Sequence, residues 1–221
     1  NLAQGENIGY YESGEVEFKR NWVDNLMQGE EIQYSKTGEI TYTQNYERGI
    51  EVGDKDTFLY DSGTIKYTME LKNGLKQGEQ IGYYESGEIE YKLNWVDDLK
   101  QGEQIGYYES GEIEYKLNWV DNLQQGEQIG YYESGEVLYK LNSIDGLAQG
   151  EQIRYYESGV VKFKRNWVDD LQQGEQIGYY ESGEIEYKLN WVDNLQQGSE
   201  IHYLRNGEVD YTDLYLDGIK K

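Results

Sequence analysis

The sequence predicts an all-β fold, an elongated single-layer antiparallel solenoid of nine β-hairpin repeats, each of about 24 residues. Three observations predict it. First, glycine recurs at Gly14, Gly38, Gly63, Gly87, Gly111, Gly135, Gly159, Gly183 and Gly207, in steps of 24 with one step of 25. A second glycine column runs from Gly5 to Gly198 with the same spacing. Second, β-formers flank the first column, as in Tyr107-Tyr108-Glu109-Ser110-Gly111-Glu112-Ile113. Third, a column half a repeat away holds only Asn, Asp or Gly: Asn25, Gly49, Gly74, Asp98, Asn122, Gly146, Asp170, Asn194 and Gly218. These residue types tolerate a left-handed backbone, so this column marks a second turn.

The hydrophobic pattern selects the loop of the first turn. A two-residue Ser-Gly loop mixes apolar and charged side chains on one face. A three-residue loop, Glu109-Ser110-Gly111, pairs Tyr107 with Ile113 and Ile105 with Tyr115. The expected apolar face is then Ile105, Tyr107, Ile113, Tyr115 and Leu117; the polar face is Gln104, Tyr108, Glu112, Glu114 and Lys116. The expected turn is type I closed by a left-handed glycine. The nine first-column glycines are therefore structural turn residues, needed for their positive φ.

Comparing the repeats adds expectations. The Tyr115 column is always aromatic, and the Leu123 column is always Leu or Ile. The Leu117 column accepts Arg20, Gln44, Arg165 and Asp213, which places it at the edge of the buried stripe. The Gly106 column accepts Gln33, Arg154 and His202, as a solvent-facing position does.

In chain order, residues 1–49 are N-terminal repeats whose first copy does not read as a cap, which suggests a truncated start. Residues 50–74 form an irregular repeat with one inserted residue, read as a β-bulge and kink within 54–60. Residues 75–194 are regular, except that Ser143 interrupts the tryptophan column and is expected to leave a gap. Residues 195–221, with His202, Leu204, Arg205, Asp210 and Asp213, read as a capping repeat.

The pattern Tyr-Tyr-Glu-Ser-Gly-Glu-Ile-Glu-Tyr followed by Asn-Trp-Val-Asp-Asn-Leu-Gln-Gln-Gly, over essentially the whole chain, resembles the MORN-type repeat. The bacterial variant in proteins called YwqK-family antitoxins is the most similar form. The resemblance implies single-layer antiparallel sheets used in scaffolding, dimerisation and, in some eukaryotic members, membrane association.

Net charge is −23, and the repeat 101–124 carries four Glu and one Asp against one Lys. Acidity is thus built into the repeat. It disfavours nucleic acid and anionic membrane, which recruit Lys and Arg, and suits a basic protein partner. There is no cysteine. Localisation is not legible.

No catalytic or cofactor constellation is legible. The single histidine, His202, has no Cys or second His to build a metal or nucleophilic site. The recurring pairs Glu88/Glu90, Glu112/Glu114 and Glu184/Glu186 are equivalent to one another, so they lack the asymmetry of acid–base catalysis. They are suited to weak binding of a hard divalent cation. The aromatics are the candidate interaction residues: Trp22, Trp95, Trp119, Trp167 and Trp191, with the second tyrosine column Tyr84, Tyr108, Tyr132, Tyr156 and Tyr180. The expected function is a non-enzymatic scaffold presenting an acidic, aromatic-rich surface to a protein or to itself. The alternatives are an antitoxin or immunity-type protein binding a basic partner, and a segment of a bacterial surface adhesin or fibre.

Overall fold

The computed structural model describes residues 2–72 and 74–221, with the backbone alone for 51–55. The fold is all-β, with no helix among the described residues. The chain divides into two halves, Asn1–Gly111 and Glu112–Lys221. Within each half, antiparallel strands follow one another as hairpins. Every substantial strand contact in a half joins strands adjacent or next but one along the chain, so each half is a single layer.

Two turns build each repeat. In the first, Tyr132 N–H donates to Glu136 C=O at 2.8 Å and Gly135 N–H to Tyr132 C=O at 2.9 Å. Gly135 has φ +88°, so the three-residue loop closed by a left-handed glycine is the one adopted. The second turn has two central residues with positive φ, 50° at Asp121 and 67° at Asn122. This backbone matches the twist of the strands it joins. Asn, Asp and Gly fit there because their left-handed conformers are the least costly.

The strand register departs from the expected one beyond the loop. Tyr131 faces Val137 as expected, but Gly130 faces Tyr139 and Ile129 faces Lys140. A bulge at Leu138, the Glu114 column, shifts the register. It needs no glycine, so it leaves no mark in the sequence. One extra residue moves every later side chain to the opposite face. Gln128, Gly130, Tyr139, Leu141 and Ser143 therefore share one face, the aromatic face. Ile129, Tyr131, Val137 and Lys140 share the other.

A second bulge lies between repeats. Lys140 faces Ile153 and Asn142 faces Gln149, so three residues stand opposite Leu141 alone. Gly150, in the second glycine column, takes φ 76° there. In the irregular repeat Thr43 faces Thr57 and Asn45 faces Val52, so four residues stand opposite Gln44. The inserted residue is absorbed by a bulge that other repeats already have. The kink expected within 54–60 begins among residues whose side chains lie outside the described set.

Burial follows the corrected faces. The Leu117 column is the centre of the stripe, not its edge: Leu93 is 6% exposed, Met69 7% and Gln44 5%. The Leu123 column is open to solvent, with Leu123 45% exposed and its cross-turn partner Val120 44%. The Gly106 column is solvent-facing at Gln33 and Arg154, as expected, but covered where it holds glycine. Gly82, Gly106, Gly130 and Gly178 are buried. A Cβ on Gly130 would lie 2.2 Å from Cε1 of Tyr139.

Candidate functional site

The aromatic face is built by a repeated local pairing. In the repeat beginning at Leu75, Gly78 faces Trp95, Gln80 faces Leu93 and Gly82 faces Tyr91. Gly82 leaves room for the Tyr91 ring to lie over the backbone. Gln80, 8% exposed, is held beneath them. Its Oε1 accepts Trp95 Nε1–H at 2.8 Å, and its Nε2 donates to Tyr91 Oη at 2.9 Å. Gln176 makes the same two bonds with Trp191 and Tyr187. Two apolar rings and one buried amide thus form a closed hydrogen-bonded set. Gln104 and Gln128 are also buried, so this column belongs under the aromatics and not on a polar face. The sequence signal was available: a column confined to Asn, Gln, Glu and Asp at a position alternating with covered glycine.

Burial raises the pKa of the Tyr139 and Tyr187 hydroxyls. The same holds for Tyr67, where burial acts first and the charge of Asp56 adds to it. These phenols therefore stay protonated and act as donors or acceptors rather than as anions.

Where the covered glycine is replaced by a ring, the aromatics stack. Phe58 lies 4.3 Å from Tyr67 and 5.0 Å from Tyr42, centroid to centroid. His202 lies 4.3 Å from Tyr211 and 5.8 Å from Tyr187. His202 also meets Glu200 at 2.7 Å. It is a half-buried member of the aromatic face, not an isolated surface substitution.

The second tyrosine column ties repeats together. Tyr84 donates its hydroxyl to Tyr107 C=O at 2.7 Å, Tyr132 to Tyr155 C=O at 2.8 Å, Tyr156 to Tyr179 C=O at 2.8 Å and Tyr180 to Tyr203 C=O at 2.7 Å. Tyr108 is half-buried like the others. Each ring keeps an exposed part while its hydroxyl is engaged.

A model of the MORN repeat variant matches residues 76–97, 100–121, 124–145, 148–169 and 172–193. The chain belongs to the MORN repeat variants. No curated protein matches it. Among solved structures, a porin-like protein from Bacteroides uniformis ATCC 8492 aligns at 7% identity over 98% of this chain and 84% of that one, with a TM-score of 0.25. The Photorhabdus luminescens Tc holotoxin pore aligns at 11% identity over 94% of this chain and 14% of that one, TM-score 0.20. A TcdB2-TccC3-Cdc42 complex aligns at 9% identity over 96% and 16%, TM-score 0.20. Scores this low carry no argument about fold or function.

On the MORN framework, the five tryptophans Trp22, Trp95, Trp119, Trp167 and Trp191 are all half-buried. At the interrupted position Ser143 is 2% exposed, and its Oγ accepts Gln128 Nε2–H at 2.7 Å. Among the described residues no group of three His, Asp or Glu converges as a metal site. The paired glutamates are set apart by burial. Glu112 is exposed beside the loop, while Glu114 sits half-buried at the bulge.

Proposed function

We propose that this MORN array is a non-enzymatic scaffold that presents an acidic, aromatic-rich surface to a protein partner or to a second copy of itself. MORN repeats serve as repeat scaffolds, generally without catalysis and often in protein or membrane contact. One observation carries the reading. Among the described residues the only hydrophobic side chains less than a tenth exposed are Met69 and Leu93. The rest of the aromatic face and the Val/Leu pairs at the inter-repeat turns keep apolar area in water. Exposed apolar patches mark interaction sites, and half-open Trp and Tyr are favoured anchors.

Light scattering after size exclusion, over a range of protein concentration and at low and high salt, tests it. A mass that climbs with concentration and survives salt supports self-association through the apolar surface. A single-chain mass throughout moves the reading to a foreign protein. In either case the combined variant Trp95→Ala, Trp119→Ala, Trp167→Ala and Trp191→Ala is expected to abolish association while circular dichroism still reports strands. Undiminished association by that variant overturns the reading.

A second reading is an antitoxin or immunity-type protein that neutralises a basic partner. The net charge of −23, distributed over every repeat, favours it. Charge would then steer encounter, and association should slow steeply as salt rises. Salt-independent association with a basic partner overturns it.

A further inference from the structure

The chain shows what its aromatic cradle holds when it holds a cation. In the first and seventh repeats the Leu117 column carries Arg20 and Arg165. The Arg165 guanidinium lies 5.3 Å from the Phe163 ring centroid and 4.6 Å from that of Trp167. Its Nε donates to Gln152 Oε1 at 2.5 Å, and Gln152 is the residue directly opposite in register. Arg20 repeats the arrangement, 4.1 Å from Phe18 and 5.7 Å from Trp22, with Nε donating to Asn7 Oδ1 at 3.3 Å. Asn7 is again the residue opposite.

The second repeat has the same cradle with the charges changed. Tyr42 and Tyr46 take the two ring positions. Gln44 stands where Arg20 and Arg165 stand. The residue opposite Gln44 is Glu31, a carboxylate where the two arginine-bearing repeats have an amide. Glu31 is 8% exposed. The hydrogen bond it receives from Gln33 Nε2 is 3.4 Å long, beyond the usual range for N–H···O. Phe58, on the next strand, closes a further side beside Tyr42. Glu31, Gln33, Thr41, Tyr42, Tyr46 and Phe58 line one cavity that opens on the aromatic face. Asp56, the equivalent of Glu31 in the third repeat, is 2% exposed and adds a second acid two strands away.

A carboxylate withdrawn from water is costly unless a cation meets it. Ring faces attract cations, and a flat, weakly hydrated guanidinium suits stacking better than an ammonium. We propose that this pocket of the second and third repeats binds the guanidinium of an arginine side chain presented by a protein partner, against Glu31 and the Tyr42, Tyr46 and Phe58 rings, as Arg20 and Arg165 lie against rings in their own repeats. The proposal rests on the reading of the array as a scaffold for protein, and gives that partner an exposed arginine.

The test uses the full chain and three blocked tripeptides, acetyl-Gly-Arg-Gly-amide and its Lys and Gln counterparts, together with free arginine. Binding is followed by heteronuclear NMR. The Arg peptide is expected to shift signals of Glu31, Tyr42, Tyr46 and Phe58, and to bind about tenfold more tightly than the Gln peptide. Two variants separate binding from folding. Glu31→Gln installs the amide that Gln80, Gln104 and Gln128 carry in the regular repeats, so it should fold and lose about tenfold in affinity. Gln44→Arg supplies the chain's own cation and should block the pocket while raising the melting temperature. Equal affinity for the Arg and Gln peptides, or unchanged affinity in both variants, overturns the proposal. Free arginine binding as tightly as the peptide overturns the assignment to a partner's side chain. If the tripeptides fail while the chain still associates with a protein, the pocket falls and the scaffold reading stands. If the Arg peptide binds and no protein associates, the scaffold reading falls.

Discussion

Gly178 shows how one absent side chain organises the aromatic face. The Tyr187 ring lies so close over it that a Cβ would stand 2.1 Å from Cε1. The ring must therefore move when any side chain is added. Alanine forces that movement and returns little contact, so Gly178→Ala is expected to cost about 1–3 kcal/mol in urea unfolding. Histidine is larger but has a precedent, since His202 occupies the next repeat's equivalent site and stacks on Tyr211. Gly178→His should therefore be less destabilising than Gly178→Ala. The reverse order would mean that ring displacement, not lost stacking, sets the cost. In the arginine-bearing repeats Phe163 and Phe18 stand in place of tyrosine, and Arg165 and Arg20 each donate Nε–H to the amide oxygen of the residue opposite.

At the scale of the element, the inter-repeat turn is also a clamp. Asn194 N–H donates to Gln172 C=O at 3.2 Å, while its Oδ1 accepts Gln172 N–H at 2.7 Å. Asp170 holds Ala148, and Asp98 holds Lys76, in the same way. Beside them, Gln173 Nε2 donates to Asp193 Oδ1 and Gln125 Nε2 to Asp145 Oδ1. These turns therefore grip the strand of the preceding repeat. Asn194→Ala removes the acceptor and the side chain that eases the left-handed conformation at φ 65°, so a loss of about 1–2 kcal/mol is expected. Asn194→Gly should lose less, because the turns at Gly146 and Gly218 keep the N–H bond without a side chain. Equal losses in chemical denaturation would show that the side-chain bond outweighs the backbone strain. Both turns were legible in the sequence, because positive φ restricts residue type and leaves a column of Gly, Asn or Asp. The bulge at Leu138 and its equivalents was not legible, because any residue adopts it. That single omission exchanged the faces of the Gln, Ile and Gly columns. The candidate aromatics were legible as columns, whereas the bonds that hold their indole and phenol groups depended on the register.

For the whole molecule, the tyrosines and the acidic background set the response to pH. Burial raises the hydroxyl pKa of Tyr60, Tyr139, Tyr156 and Tyr187 above its usual value. Carboxylates push in the same direction, Glu90 and Glu85 on Tyr60, Glu186 and Glu181 on Tyr156. A raised phenol pKa means that folding favours the protonated hydroxyl. This stability is complete below the unfolded value of about 10 and is lost as pH rises through the folded value. On the acid side Glu15 and Glu184 are held low, chiefly by the hydroxyls of Ser13 and Ser182. Their contribution is present above the ordinary carboxylate range and lost as pH falls through the depressed values. Protonating carboxylates also relieves the self-repulsion of a chain carrying −23, which opposes that loss. The melting temperature should therefore fall gently toward acid and steeply above pH of about 10, where new phenolate charges add to an already negative surface. Tyr156→Phe, which removes one hydroxyl tie to Tyr179 C=O, should lower the plateau by about 0.5–1.5 kcal/mol and make the alkaline decline shallower. A variant whose alkaline decline matches the wild type would show that general charge repulsion, and not the tyrosine ties between repeats, governs that limb.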